Sequence, residues 1–271
     1  MAQLPEVLDR ASRCVLAFAG QRGPVISPMA FWADGAALWM ATPAASIKAG
    51  ALRARPQCAV HVPAPGGRGP DVVIDGQARV YGLHDPVGLA VHGAVISAAM
   101  AALAARNAGT ILGYVTDAAN VPQRFRPHNR VAVRVRIDRV RTLPRLEPAP
   151  GVAPALPTVV SPEIRRAVAG RRHVSVATED PGGDVVVGPA VWGAGFALQF
   201  PPGDAPAQPA RAAVQVGADP QGAPGDVAGL TLCGTLADGR LSPERATWWE
   251  GFRLQSADIP PPSRSAVVLP E

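Results

Sequence analysis

Thr42, Ser46 and Lys48 offer two hydroxyls and an ammonium within one short stretch of chain. That set of groups suits an anion, and a phosphate above all. The hydroxyls donate hydrogen bonds and the ammonium adds charge. The stretch that carries them, residues 40–56, reads MATPAASIKAGALRARP. Thr42 has the chemistry of a helix N-cap and Pro43 suits the first helical position. The spacing therefore predicts a helix over residues 44–53, closed by Pro56 because the residue before a proline resists the α conformation. A helix N-terminus presents unpaired N–H groups and a partial positive charge, which is a seat for a phosphate.

Other chemistries find little support. There is no GxSxG and no HExxH, and the five histidines, His61, His84, His92, His128 and His173, show no metal-ligand spacing. Cys14, Cys58 and Cys233 are an odd number without a CxxC pair. They point to reduced thiols and a cytoplasmic location, with Cys14 and Cys58 as small buried hydrophobes. A formal charge of +5 admits a nucleic-acid partner. The arginines are dispersed, however, and aromatics make up only 5% of the chain, so none is expected. The N-terminal residues lack an apolar signal core, and no export is expected. Residues 87–105 are the most membrane-like stretch. They are mostly alanine, contain His92 and lie between Asp85 and Arg106, so they read as a packed helix of a soluble protein and no membrane is expected.

The elements that would position these groups are mainly strands. Residues 3–13 suggest a short amphipathic helix. Apolar runs at 14–19, 25–32 and 37–42 are separated by GQRG and ADG, the turn chemistry of β-hairpins. Strands follow at QCAVHVP and VVIDGQARVYG, then the Ala-rich helix over 85–106. The runs GTILGYVT and RVAVRVRIDRV close the half. In the latter Val131, Val133, Val135 and Ile137 share one face and Arg130, Arg134, Arg136 and Asp138 the other, the pattern of a strand with one solvated face.

Residues 144–162 hold six of the 30 prolines and read as a semi-extended linker between domains at 1–143 and 163–271. The second domain echoes the first. Ser27-Pro28 falls on Gly188-Pro189, Phe31 on Trp192 and Leu38 on Leu198, while CAVHV matches AAVQV at 212–216 and VIDGQARVYG matches TLCGTLADGR at 231–240. Two copies of one β-rich unit explain this. The stretch carrying Ser46 and Lys48 has become PPGDAPAQPAR, too proline-rich for a good helix and without a lysine. The long helix is missing from the second copy or replaced by SPERATWWEGFRL. One complete phosphate site per chain is expected.

A strand meander ending in T-x-x-x-S-x-K and followed by L-R-x-x-P resembles the FMN-binding split β-barrel family. Pyridoxamine 5'-phosphate oxidase and flavin- or deazaflavin-dependent reductases belong to that family. The matching residues are Thr42, Ser46, Lys48, Leu52, Arg53 and Pro56, together with the strand Gly23 to Pro28 and the strand Ile74-Asp75-Gly76-Gln77-Ala78. The resemblance implies a mainly β protein with some α, built from two six-stranded Greek-key split barrels that form a pseudo-dimer within one chain. It implies FMN as cofactor, with a deazaflavin or heme as alternatives. The phosphate would be held by Thr42, Ser46, Ile47 and Lys48. The ring would lie along Ser27, Met29, Ala30 and Phe31, with Gln77 on a neighbouring strand and Trp248 and Trp249 as the opposing aromatic wall. The expected activity is oxidoreduction between a small-molecule substrate and an electron donor. A non-enzymatic flavin or heme binder on the same barrel, or an inert structural barrel, are the other readings, and the pseudo-dimers can pair further into a homodimer. Ile47 and Pro70-Asp71 stand where the pyridoxamine phosphate oxidases carry a basic residue and an Arg-Gln pair, so vitamin B6 oxidation is not expected.

Overall fold

The computed structural model describes residues 6–108, 130–180, 182–217, 228–251 and 253–261. The first half runs α1 (Glu6–Arg10), β1 (Arg13–Gly20), β2 (Gly23–Ala30), β3 (Trp32–Ala33), β4 (Ala37–Pro43), α2 (Ile47–Ala54), β5 (Gln57–Val62), β6 (Asp71–Tyr81), α3 (Pro86–Arg106) and β7 (Arg130–Leu143). The second runs α4 (Pro162–Ala167), β8 (His173–Glu179), β9 (Val185–Trp192), β10 (Leu198–Gln199), β11 (Ala210–Gly217), β12 (Ala228–Ala237), β13 (Arg240–Glu250) and β14 (Arg253–Asp258). The GTILGYVT run and His128 lie outside the described residues.

Each half curls one antiparallel sheet into a split barrel. The strand orders are β2-β1-β5-β6-β7-β4-β3 and β10-β9-β8-β11-β12-β13-β14. Seven strands stand in each sheet rather than six, because the two-residue β3 and β10 pair as strands of their own. Five neighbours correspond between the halves: β2-β1-β5-β6-β7 matches β9-β8-β11-β12-β13. The correspondence extends to defects. β6 shifts register between Asp75 and Gly76, and β12 between Cys233 and Gly234. A Cβ on Gly76 would lie 2.2 Å from the Arg136 carbonyl oxygen, and one on Gly234 would lie 2.0 Å from that of Ser242. Only glycine lets the bulged strand approach its partner so closely.

Alternation along the strands makes three cores. Cys14, Leu16 and Phe18 of β1 point into the first barrel with Cys58, Val60 and Val62 of β5. Val174 and Val176 of β8 point into the second with Ala212, Val214 and Val216 of β11. The intervening residues face the other barrel: Val15, Ala17, Ile26 and Ala59 pack against Ala177, Val185, Val187 and Ala213. A period of two thus serves a core on one face and an interface on the other. Small side chains at this interface let the sheets approach closely. An Arg141–Asp204 ion pair also ties the halves. The two copies therefore form the intramolecular pseudo-dimer, with Cys14 and Cys58 buried as apolar side chains.

The halves diverge around the phosphate stretch. In the first, β4 runs the length of β7, from Ala37 opposite Arg136 to Pro43 opposite Arg130. In the second, its counterpart β10 spans two residues and ends at Pro201-Pro202. The segment after β12 is also shorter. Asp238 and Gly239, both with positive φ, turn the chain straight into β13. SPERATWWE is thus a strand paired on both sides rather than a substitute for the long helix. That helix, α3, is capped by the Asp85 carboxylate on the Gly88 N–H. It packs Ile96 and Ala99 against Trp39 and Tyr81. Its other side is open, with Val87, Val91 and Val95 exposed, so it packs on one side only. It is long and apolar enough to cross a membrane, by length and composition alone.

Candidate functional site

Thr42 does not start the helix. It is the penultimate residue of β4, paired with Val131 and almost fully buried, and Pro43 ends the strand opposite Arg130. A strand end tolerates proline because its missing N–H has no ladder bond to make there. The N-cap is Ser46. Its Oγ accepts from the Ala49 N–H at 3.2 Å and lies 3.1 Å from Thr42 Oγ1. The helix therefore runs from Ile47 to Ala54, three residues later than the sequence suggests at its start. Ladder pairing with β7 outweighs the local capping signal of Thr42. Arg53 closes the turn from behind: its Nε donates to the Ala49 carbonyl and Nη2 to that of Ala44.

From the second residue of α2, Lys48 reaches back to β2. Its Nζ donates to Ser27 Oγ at 2.8 Å and to Met29 Sδ at 2.9 Å. Ser27 and Met29 share a face because they are two residues apart on a strand. Four of the expected site residues thus form two hydrogen-bonded pairs around the start of α2, Thr42 with Ser46 and Lys48 with Ser27, with Met29 beside the second. Burial of the ammonium, with the Arg130 guanidinium nearby, pulls the Lys48 pKa down from 10.5 to about 8. The site holds a cation it would not hold without cost, which is a condition an anionic partner relieves.

The patch opens into a cleft of about 1780 Å³ between the barrels. Its walls include Pro28, Met29 and Ala30 of β2, Thr42 and Lys48, and from the second half Ser175, Gln215 and Trp249. Seven of the lining residues are Lys or Arg and one, Asp71, is a carboxylate. A basic cleft with low-dielectric walls concentrates anions.

The remaining expected residues divide. Trp249 lines the cleft, but Trp248 is buried in the second core and does not. Neighbours on β13 point to opposite faces, so the two indoles cannot share one wall. Trp249 Nε1 is buried without a hydrogen-bond partner among the described residues. Phe31 is fully buried in the first core, not along the cleft, since the chain turns inward after β2. Ile47 is 83% exposed and points away from the patch. Gln77 is exposed on β6, between Gln57 and Arg136, and does not reach the cleft.

His61 and Asp71 escaped the sequence reading. His61 Nδ1 lies 2.8 Å from Ser175 Oγ across the barrel interface, and its Nε2 lies 3.7 Å from Asp71 Oδ2. All three are buried. The signal was present in the alignment of CAVHV with AAVQV, which puts polar residues at equivalent interface positions, His61 and Gln215. The His61–Ser175 contact joins the two barrels, so the trio reads as an interdomain tie. Among the described residues no group of three or more His, Cys, Asp or Glu is placed to hold a metal.

The family model of pyridoxamine 5'-phosphate oxidase matches residues 1–144, just over half of the 271. Among solved structures, the chain is similar to a FAD-binding protein from Mesorhizobium loti at 23% identity, over 50% of this chain and 87% of that one, with a TM-score of 0.38. An F420 reductase is 21% identical over 52% of this chain and 98% of its own, with a TM-score of 0.36. HutZ, the heme storage protein from Vibrio cholerae, is 14% identical over 51% and 90%, with a TM-score of 0.35. No curated protein matches the sequence.

Proposed function

Because the chain belongs to the pyridoxamine 5'-phosphate oxidase family, we propose that it binds FMN in the cleft between its barrels and works as an oxidoreductase, with one cofactor per chain. The observation that carries this reading is the Lys48 ammonium held against Ser27 and Met29 at the mouth of a basic cleft. Lys48, Thr42 and Arg130 are the groups to hold the phosphate. The β2 segment Pro28–Ala30 lies where the ring would rest, and the Trp249 indole stands on the opposite wall. The donor set fits the cofactor: cationic groups and a hydroxyl at one place, apolar walls at another.

The flavin, when bound, supplies the electron and hydride chemistry. The chain's own groups anchor, orient and shield it. A deazaflavin of the same shape would use the same phosphate contacts.

The test is the absorption spectrum of the purified chain, followed by titration with FMN and with a deazaflavin. The reading expects a flavin spectrum with about one equivalent bound, reducible by dithionite. A heme Soret band in its place, or no saturable binding of either flavin, refutes it.

A further inference from the structure

The cleft is larger than one ligand needs. Single-ligand clefts occupy roughly 300–1,000 Å³, and this one is about 1780 Å³. Its basic lining also falls into separate groups. Lys48 and Arg130 stand at the first end of β7. Arg145 follows the other end of the same strand, and Arg171 and His173 come from the linker side of β8. The 14 residues of β7 and the two that follow put about 50 Å of chain between Arg130 and Arg145 at the rise of an extended strand. A single phosphate held at Lys48 does not account for Arg145 and Arg171 in the same lining.

Arg145 acts on the Asp71 carboxylate only at long range. Among the described residues, no ion pair joins Arg145 or Arg171 to a carboxylate. Asp71, the acidic residue of the cleft, already accepts the Ala64 N–H at 2.8 Å and faces His61. The Arg145 guanidinium lies over Gly67, where a Cβ would come within 3.3 Å of its Nη2. Gly67 has φ +70°, so the loop's shape and its lack of a side chain both leave room for that guanidinium. Burial first, then Arg145, and lastly Arg172 hold the His173 pKa below its ordinary value against the opposing pull of Asp71 and Glu147, so at neutral pH the imidazole is a neutral hydrogen-bonding group there.

We propose that Arg145 and Arg171, with His173, form a second anion subsite that binds the phosphate or carboxylate of the reaction's other ligand, an anionic organic electron donor or acceptor. Guanidiniums at half-buried positions suit such groups bidentately. The proposal rests on the reading of Lys48 as the cofactor end of the cleft.

The test uses the full chain and pyrophosphate as probe, followed by calorimetry. Binding is measured in FMN-saturated protein and, independently of any flavin, in a Lys48→Met variant. The double variant Arg145→Ala/Arg171→Ala should weaken pyrophosphate at least tenfold in both settings, with FMN affinity changed less than twofold. The charge-retaining Arg145→Lys/Arg171→Lys variant should recover part of the loss and guards against misfolding. Unchanged pyrophosphate affinity in the alanine variant overturns the proposal. So does a parallel loss of FMN affinity, which would make these arginines the far end of the cofactor's own site. If the chain binds no flavin, the Lys48→Met measurement still decides the subsite, so the two readings fail separately.

Discussion

Lys48 Nζ donates to Ser27 Oγ at 2.8 Å across 21 residues of sequence, joining the first turn of α2 to the middle of β2. This one contact links the element that offers positive charge to the strand that forms a wall of the cleft. A cofactor phosphate at Lys48 would therefore be fixed relative to that wall. The same contact keeps a lysine partly dehydrated, and the lowered pKa records the cost.

Replacing Lys48 by methionine should separate function from stability. Loss of a charge-assisted contact of about 1.5–3 kcal/mol should weaken FMN by roughly 10- to 150-fold in a fluorescence titration. The unliganded variant should be as stable as the parent at pH 7, or more stable by up to about 1–3 kcal/mol, because an imperfectly compensated buried charge is gone. Lys48 has a folded value of about 8 against 10.5 ordinarily, so the unfolded chain binds more protons between these values. Parent stability should therefore rise relative to the variant as pH climbs from 8 to 10.5, with the full deficit below 8. Affinity of the parent for FMN should fall over the same rise. Denaturation curves that keep a constant gap across pH 7–10.5 would show that Lys48 carries no such cost.

The tandem tryptophans should behave differently. Trp248→Ala empties a core position and should cost about 3–5 kcal/mol in urea denaturation. Trp249→Phe keeps an aromatic face while trimming the indole and removing an N–H that has no protein partner, so stability should fall by less than in Trp248→Ala, by about 1–2 kcal/mol. Its effect should also appear in the bound flavin's spectrum and affinity. Equal losses of stability in both variants would place both indoles in the core.

Much of this was legible in the sequence because period-two alternation reports directly on strands. Val131, Val133 and Val135 marked β7, and the pairing of CAVHV with AAVQV marked the second barrel. Local rules failed where long-range pairing overrode them. Thr42 and Pro43 carry the chemistry of a helix start, yet β7 holds them in a strand. The resemblance places Phe31 and Trp248 at the site, but which face each occupies depends on a turn after β2 and on strand register. His61 and Ser175 are 114 residues apart and meet only when the two barrels dock, so neither residue alone shows that role.

Gly76 and Gly234 offer a test of the repeat itself. Each sits at the bulge of an equivalent strand, with a partner carbonyl where a Cβ would be. Gly76→Ala and Gly234→Ala should each destabilise the protein by about 1–3 kcal/mol through overpacking. Gly234→Ala should leave FMN affinity within twofold, since the second barrel's bulge is remote from Lys48. A neutral effect at one position and a severe one at the other would argue that the bulges are not equivalent.

The His61–Ser175 contact should hold the barrels in register. Ser175→Ala leaves His61 Nδ1 buried without a partner and should cost about 1–3 kcal/mol. Asp71 adds a pH dependence. Burial raises its pKa and is the largest single effect, but His61, the Ala64 N–H and Arg145 together outweigh it and hold the carboxyl below 3.8. A carboxyl whose folded pKa lies below the unfolded one stabilises the fold above the unfolded value. That contribution is lost as pH falls through the folded value. The parent should therefore lose stability below about pH 4 more steeply than Asp71→Asn, which can still accept the Ala64 N–H through its amide oxygen. Acid titration followed by intrinsic fluorescence checks this, and parallel curves for parent and variant below pH 4 would remove Asp71 from the account.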